Sequence, residues 1–301
     1  MIKTLVIGLG KVSLTNNIKK GSLSLNTHCG SLFVKKKFRI VGCVEKKKKP
    51  IKIFKSFFNC ECFASIEEAL KKTQPNLVVI AASTKSHLKV AKEILSNRSK
   101  NLKVILFEKP TGSGLKQINQ IKKIFKNKRI KIFVNYSRDY EKAFIRLSTF
   151  LRKSFFCNAE VSYNGGFINN ASHFISLFIN FFGTIRRVDV LKKKKINEDF
   201  LINSVLHFKN CRLVIKKNNK KNFHSFFIGY NNKDSISYCN KSGNILSYKN
   251  GSSIKIKNNL NKGHLNIYNE IQKYFSKKKY YICSLNKAHY VHKVINRCIN
   301  S

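Results

Sequence analysis

The stretch Leu5-Val-Ile-Gly-Leu-Gly-Lys-Val-Ser13 decides how the rest of the chain is read. The run Ile2 to Ile7 ends in Leu, Val and Ile without polar alternation, so it reads as a buried strand that Gly8 punctuates. Gly8 and Gly10 permit a tight turn and a close backbone approach. In a dinucleotide-binding fold such a turn delivers a pyrophosphate to the N-terminus of the next helix, where unpaired N–H groups and the helix dipole favour an anion. Ser13 stands where a third glycine would, and a residue that small still lets helix and strand pack closely. These nine residues leave two readings open: a phosphate cradle of Gly8, Gly10 and Ser13, or an ordinary strand and turn. The surroundings decide between them.

Those surroundings are a chain of 301 residues, 43% of them apolar, which is enough for two ordinary domains with real cores. No apolar run approaches the roughly 18 to 20 residues of a membrane span. No basic, apolar and small-residue leader opens the sequence, so a cytoplasmic location is expected. Nine cysteines are scattered, the closest pair being Cys60-Glu-Cys62. Their odd number and lack of ligand spacing argue against a disulfide framework and against a metal site, so they are expected to be reduced and mostly buried.

Charge is the unusual property: 60 Lys and Arg against 14 Asp and Glu give a formal +46. Such a field attracts nucleic acid, anionic membranes or phosphorylated metabolites. The lysines, however, are spread in runs such as "KKKK" and "KKNNKKN", with no aromatic platform or helix-turn-helix signal beside them. Heavy use of Lys, Asn, Ile, Phe and Tyr, with no Trp and few Pro or Met, matches an AT-rich compositional bias. That bias explains the charge only in part, since acidic codons tolerate it too. No specific nucleic-acid partner is expected.

Farther along, Phe38 to Val44 is a second apolar strand ending at Glu45. An acid at that tip accepts hydrogen bonds from the adenosine ribose hydroxyls and repels a 2′-phosphate, which favours NAD. Lys46 to Lys49 follow at once and would suit a 2′-phosphate, so NADP is the alternative. Leu14 to Asn26 reads as an inserted polar loop and Thr27 to Lys36 as the intervening helix. A helix capped by Ser65 with acids in its first turn comes next, then strand Pro75 to Ala82, helix Leu88 to Leu95, strand Lys103 to Phe107, helix Leu115 to Phe125 and strand Lys131 to Val134. This alternation means a parallel sheet wound by right-handed crossovers, and it puts the glycine stretch where a nucleotide fold needs it. Short strands over Phe200–Phe208, Arg212–Ile215, Ser225–Tyr230 and Ser235–Tyr238 follow, then helices Leu265–Phe275 and Leu285–Asn300.

The segments "VIGLGKVS", "AASTKSHLKVAKEIL", "LFEKPTG", "VNYSRDY" and "NGGFINNASHFISLFINFFG", in that order between Val6 and Gly183, resemble the successive signatures of the Gfo/Idh/MocA oxidoreductases. The closing "SLNKAHYVHKVIN" resembles that family's last helix. The resemblance implies an α/β protein with an N-terminal Rossmann domain, a doubly wound parallel sheet over residues 1–135. A C-terminal α/β domain over 136–301 would carry a mostly antiparallel open sheet, and its last helix could pack back on the first domain. It further implies NAD(P)-dependent chemistry on a sugar, nucleotide-sugar or cyclitol-like alcohol or ketone, and a homodimer or homotetramer formed through the C-terminal sheet. Carried over by motif, the cofactor-binding positions are Gly8, Gly10, Ser13, Glu45, Ser83, Thr84, His87, Glu108 and Lys109. The substrate-binding positions are Lys109, Arg138, Asn169, Asn170 and His173, with Lys109, His173 and Asn169 catalytic.

The chemistry of these side chains agrees. Moving a hydride from a secondary alcohol to nicotinamide needs a partner for the hydroxyl proton, a task that suits an imidazole, and His173 is the candidate. A cation stabilises the developing alkoxide. Lys109 stands at a strand's carboxyl end, where open α/β sheets bind ligands, and the proline of Glu-Lys-Pro in this family often follows a cis bond. Without the motif register, Lys109 would be one lysine among many and His173 a helix-face histidine. Three positions depart from the family. Asn169 replaces an aspartate common one helical turn before the histidine. Ser176 replaces another aspartate, and Arg138-Asp139 stands for a basic pair. A dinucleotide-binding protein without catalysis and a basic nucleic-acid-binding protein are the readings from other classes. Because the lysines are distributed, any nucleic-acid binding should be sequence-independent and lose most of its affinity between roughly 50 and 200 mM salt. Filter binding with unrelated duplexes checks this, and selective binding that survives the higher salt would refute it.

Overall fold

The computed structural model describes residues 1–16, 22–152, 156–230, 234–257 and 263–301. They fall into two compact units, Met1–Tyr136 with Asn261–His289, and Ser137–Leu260 with Tyr290–Ser301.

The first unit is built on strands β1 (Ile2–Ile7), β2 (Phe38–Val44), β3 (Cys62–Phe63), β4 (Leu77–Ile80), β5 (Val104–Phe107) and β6 (Lys131–Val134), all parallel and ordered β6-β5-β4-β1-β2-β3. Every residue of β4 and β5 is buried, as are Leu5, Val6 and Ile7 of β1. That is the sequence signature of strands covered on both faces. Helices α1 (His28–Phe33), α2 (Lys48–Lys55), α3 (Ile66–Thr73), α4 (His87–Ser96) and α5 (Leu115–Phe125) make the crossovers. Ser65 caps α3 by accepting the Glu68 N–H, and Glu67 and Glu68 lie in its first turn.

The expected helix Thr27–Lys36 is shorter: α1 runs only from His28 to Phe33, with Thr27 as its cap accepting the Gly30 N–H at 3.1 Å. Among the described residues, no helix of normal length follows the glycine turn either. A single wide turn, Lys11–Thr15, folds the Ser13, Leu14 and Thr15 N–H groups back onto the Gly10 carbonyl. The rest of the expected loop Leu14–Asn26 lies partly outside the described residues.

In the second unit, β7 (Cys157–Tyr163), β8 (Ile185–Ile196), β9 (Asp199–Phe208), β10 (Cys211–Lys217), β11 (Ser225–Tyr230), β12 (Asp234–Cys239), β13 (Asn244–Lys249) and β14 (Ser252–Lys257) form one open sheet. Its order is β14-β13-β12-β11-β7-β10-β9-β8, antiparallel except for the β7/β10 pair. The inward side chains of β7, Cys157, Ala159, Val161 and Tyr163, are buried, while Asn158 and Glu160 between them are exposed. Such alternation marks a sheet with one covered face. Helices α6 (Lys142–Leu151) and α7 (Ser172–Phe182) belong to the same unit. Phe144, Phe178, Phe226 and Tyr238 meet edge-on, tilted or stacked at ring separations of 5.3 to 5.9 Å. On the outward face, Phe227 and Leu246 lie in one cross-strand row through Ser237 and are about half exposed.

The chain then returns to the first unit. Helix α8 (Gly263–Phe275) packs against α1, and the two-residue strand Cys283–Ser284 adds antiparallel to β6. Helix α9 (Leu285–Asn300) follows, its first residues in the first unit and the rest in the second. Among the described residues no helix is long and apolar enough to cross a membrane. The cysteines are free, and burial pushes the Cys29 and Cys298 thiols up to about 12 and those of Cys60 and Cys157 to about 11. The Lys109–Pro110 bond is cis, as the motif implied.

Gly8 sits at φ +88°, and a Cβ there would lie 2.7 Å from the Ala82 nitrogen and 2.8 Å from its Cα. Gly8→Ala should therefore destabilise the first unit by about 1–3 kcal/mol through its backbone conformation, with a further cost from crowding against backbone that cannot swing aside. Denaturant unfolding of the purified variant measures this, and a loss under about 0.5 kcal/mol, the range of neutral surface changes, would contradict it.

Candidate functional site

The glycine turn is fixed from two sides. The Gly8 N–H donates to the Val44 carbonyl at 2.9 Å, and the Leu9 N–H donates to Glu45 Oε2 at 2.9 Å. Glu45 Oε1 accepts the Lys46 and Lys47 N–H groups at 2.8 and 3.0 Å. The acid expected at the ribose thus also ties the end of β2 to the turn after β1. Burial alone would raise its pKa, but the Leu9, Lys47 and Lys46 N–H groups and the nearby Lys47 charge outweigh burial and hold it below the ordinary carboxylate range.

Gly10 is exposed, and a Cβ there would meet nothing within 4 Å, so the turn presents open backbone. The first N–H groups of the following turn have no acceptor within it, which suits an anion. Ser13 does something else. It is fully buried, its hydroxyl 3.9 Å from Cys29 Sγ on α1, where its small side chain allows close packing.

At the end of β4, Ser83 is exposed and its hydroxyl lies 3.1 Å from that of Ser86, while Thr84 beside it is half-buried. His87, also carried over as a cofactor contact, is fully buried. Its Nδ1 lies 3.1 Å from the Thr111 carbonyl and its Nε2 3.1 Å from the Ala82 carbonyl, so its ring joins two loops.

Glu108, Lys109 and Pro110 leave the end of β5, where the Glu108 N–H donates to the Ile80 carbonyl of β4 at 2.9 Å. Lys109 is half-buried. The Glu108 carboxylate is buried in a network that the sequence did not reveal: Oε1 is 2.7 Å from His28 Nε2 and 3.7 Å from His264 Nε2, and it accepts from Asn135 Nδ2. Oε2 accepts the Lys109 N–H at 3.3 Å. His28 in turn places Nδ1 2.7 Å from the Tyr268 hydroxyl. Burial would raise the Glu108 pKa, but His264 and His28 hold it well below the usual range; burial, then His264, lower that of His28 against the pull of Glu108.

In the second unit, Asn169 and His173 stand one helical turn apart at the entry to α7. Asn169 is exposed and His173 half-buried. Here too an acid organises the backbone. Asp199 Oδ1 accepts the Ile168 and Phe200 N–H groups at 2.8 and 2.7 Å, and Oδ2 accepts from the Asn169 N–H at 3.2 Å and its Nδ2 at 2.8 Å. The Asn169 amide is thus itself held by a carboxylate from β9. Asn170, next in the turn, lies against Gly165.

The other two departures turn out to be partners. Ser176 donates to both carboxylate oxygens of buried Asp139, at 3.0 and 2.9 Å. Arg138, carried over as a substrate contact, has its guanidinium 4.4 Å from the centre of the Phe174 ring, and burial lowers its pKa. Gly8, Gly10, Glu45, Ser83, Thr84, Glu108 and Lys109 are held by the first unit, and Arg138, Asn169, Asn170 and His173 by the second.

Residues 2–136 match the Gfo/Idh/MocA family, an oxidoreductase family with an NAD-binding Rossmann fold. No curated protein sequence matches the chain. Solved structures share its fold almost end to end. A dehydrogenase from Chromobacterium violaceum is 13% identical, covering 99% of this chain and 94% of that one at a TM-score of 0.78. An oxidoreductase from Agrobacterium radiobacter, solved with NAD+, L-tartaric acid and magnesium, is 11% identical over 100% and 96% at 0.80. Biliverdin reductase from Synechocystis, solved with biliverdin and NADP+, is 14% identical over 99% and 98% at 0.73.

A carboxylate whose pKa falls on folding stabilises the protein above its unfolded value and loses that contribution as the pH drops through the folded one. Glu45→Gln should therefore be less stable than the wild type near neutrality, with the gap closing between roughly pH 5 and pH 2. Thermal melts of both proteins across that range test it; a gap independent of pH would show that Glu45 does not act through its charge.

Proposed function

We propose, with residues 2–136 as the NAD-binding unit of a Gfo/Idh/MocA oxidoreductase, that the chain transfers a hydride between nicotinamide and the CH–OH or C=O carbon of a sugar, nucleotide-sugar or cyclitol-like compound. The observation that carries this reading is the glycine turn itself. Gly8 is crowded against Ala82 while Gly10 opens on free space, and Glu45 fixes the Leu9 N–H between them. That backbone suits a pyrophosphate.

NAD is the preferred cofactor in this proposal, because the Glu45 carboxylate at the tip of β2 repels a 2′-phosphate; Lys46 to Lys49 are the groups that would reverse the preference. The bound dinucleotide supplies the hydride acceptor or donor. The chain's own side chains handle the proton and the developing charge: His173 takes the hydroxyl proton, Lys109 stabilises the oxygen as it becomes anionic, and Asn169, restrained by Asp199, orients without titrating. Asn170 and Arg138 complete the proposed substrate set, Arg138 by supporting the Phe174 face of α7 rather than by reaching outward. A cytoplasmic location and self-association through the outward sheet face that carries Phe227 and Leu246 belong to the same proposal.

Titration of NADH and NADPH by fluorescence should show tighter binding of NADH, and a screen of polyols, sugars and nucleotide-sugars should identify a turnover substrate. On that substrate His173→Ala should lose about 10² to 10⁴ in rate and Lys109→Ala about 10² to 10³, each with dinucleotide affinity nearly unchanged. Asn169→Ala should lose less. Absence of binding by either cofactor would overturn the proposal, and binding without any turnover would leave a dinucleotide-binding protein that is not an enzyme.

A further inference from the structure

We infer that His28 Nε2, Glu108 Oε1 and His264 Nε2 form a binding site in the first unit for one divalent transition-metal ion of the zinc or cobalt kind. The three residues come from α1, the end of β5 and α8, far apart in sequence, yet their ligand atoms all lie within 4.8 Å of one another. The two imidazoles meet edge-on with ring centres 4.6 Å apart. Two ring nitrogens and one carboxylate oxygen are the donor set of borderline ions; calcium and magnesium prefer oxygen alone.

The surroundings have the features such a site needs. The His28 ring carries a partner on its other nitrogen, the Tyr268 hydroxyl at 2.7 Å, which is how ligating histidines are usually oriented. Asn135 Nδ2 donates to the carboxylate and also lies 3.2 Å from His264 Nε2, a contact the ion would replace. The His28 side chain is fully buried, while those of Glu108 and His264 are 10% and 16% exposed, so solvent reaches the edge of the cluster.

Donors about 2.0–2.2 Å from a common tetrahedral ion stand roughly 3.3–3.6 Å apart. Glu108 and His264, at 3.7 Å, already do so nearly; His28 and Glu108, at 2.7 Å, must separate by less than about 1 Å. To ligate the ion, His28 must be the neutral Nδ1–H tautomer, which donates to the Tyr268 oxygen and leaves Nε2 free; a proton carried on Nε2 or on Glu108 is released to solvent on binding. The ion would pin α1, β5 and α8 together. This site goes beyond hydride transfer, whose proton-handling groups are Lys109 and His173.

The test uses the full, tag-free chain, stripped with a chelator and titrated with Co²⁺ alone, without dinucleotide or substrate. One equivalent should bind, with a visible ligand-field band, no sulfur charge-transfer absorption, and a raised melting temperature. Tyr268→Phe should weaken binding about 10- to 100-fold, and His264→Ala should weaken it more while its circular dichroism matches the wild type. If His264→Ala does not fold, the Tyr268→Phe result decides. No stoichiometric binding, an affinity unchanged in these variants, or a thiolate spectrum pointing to the cysteines would each overturn the assignment. None of these outcomes bears on whether the chain binds NADH.

Discussion

The first sheet closes around a residue that cannot carry a side chain. At Gly8 the end of β1 lies so close to Ala81 and Ala82 that a methyl group would overlap backbone atoms. The same Ala82 offers its carbonyl to His87, whose other nitrogen reaches Thr111 just beyond the cis Lys109–Pro110 bond. One steric constraint thereby relates the glycine turn, the start of α4 and the Glu-Lys-Pro segment. Because these loops sit at the carboxyl ends of adjacent parallel strands, the contacts that shape them also define where a ligand of an open α/β sheet would rest.

Carboxylates complete what the glycines begin. Each unit uses a partly or fully buried acid to organise backbone that has no regular partner. Glu45 gathers three N–H groups around the glycine turn, and Asp199 gathers three around the entry to α7. Leaving such groups unpaired in a protein interior is expensive, and an ionised acceptor is the strongest remedy for several donors at once. Glu108 follows the same logic with side-chain partners, and its place beside Lys109 ties the geometry of that strand end to α1 and α8. Asn169 can serve without a charge of its own because Asp199 restrains its amide.

Much of this was legible in the chain before it folded. Parallel strands covered on both faces are rich in apolar residues, and β1, β2 and β6 begin and end where the sequence places them. The Glu-Lys-Pro motif and the small-residue approach to His173 marked the strand end and the helix that bear them. Backbone partners were not legible. Nothing in the spelling of Glu45 says that it holds Leu9, 36 residues earlier, because an N–H group has no residue identity. His28 opens α1, but its partners Glu108 and Tyr268 lie 80 and 240 residues away, so periodicity could not join them. Ser176 and Asp139, read separately, look like two departures from a family; in the fold they are one contact.

A protein with 14 acids among 60 basic residues, and with so many of those acids tied to backbone or histidine, has two kinds of surface charge with unequal freedom. Exposed lysines such as Lys192, Lys194 and Lys195 on β8 can be recoded with little effect beyond the surface potential, whereas even an isosteric amide in place of Glu45, Asp139 or Asp199 removes a joint. Redesign toward a lower isoelectric point should therefore proceed by replacing lysines, and random variation in such a sequence would be expected to scatter over the basic positions while Glu45, Asp139 and Asp199 stay fixed.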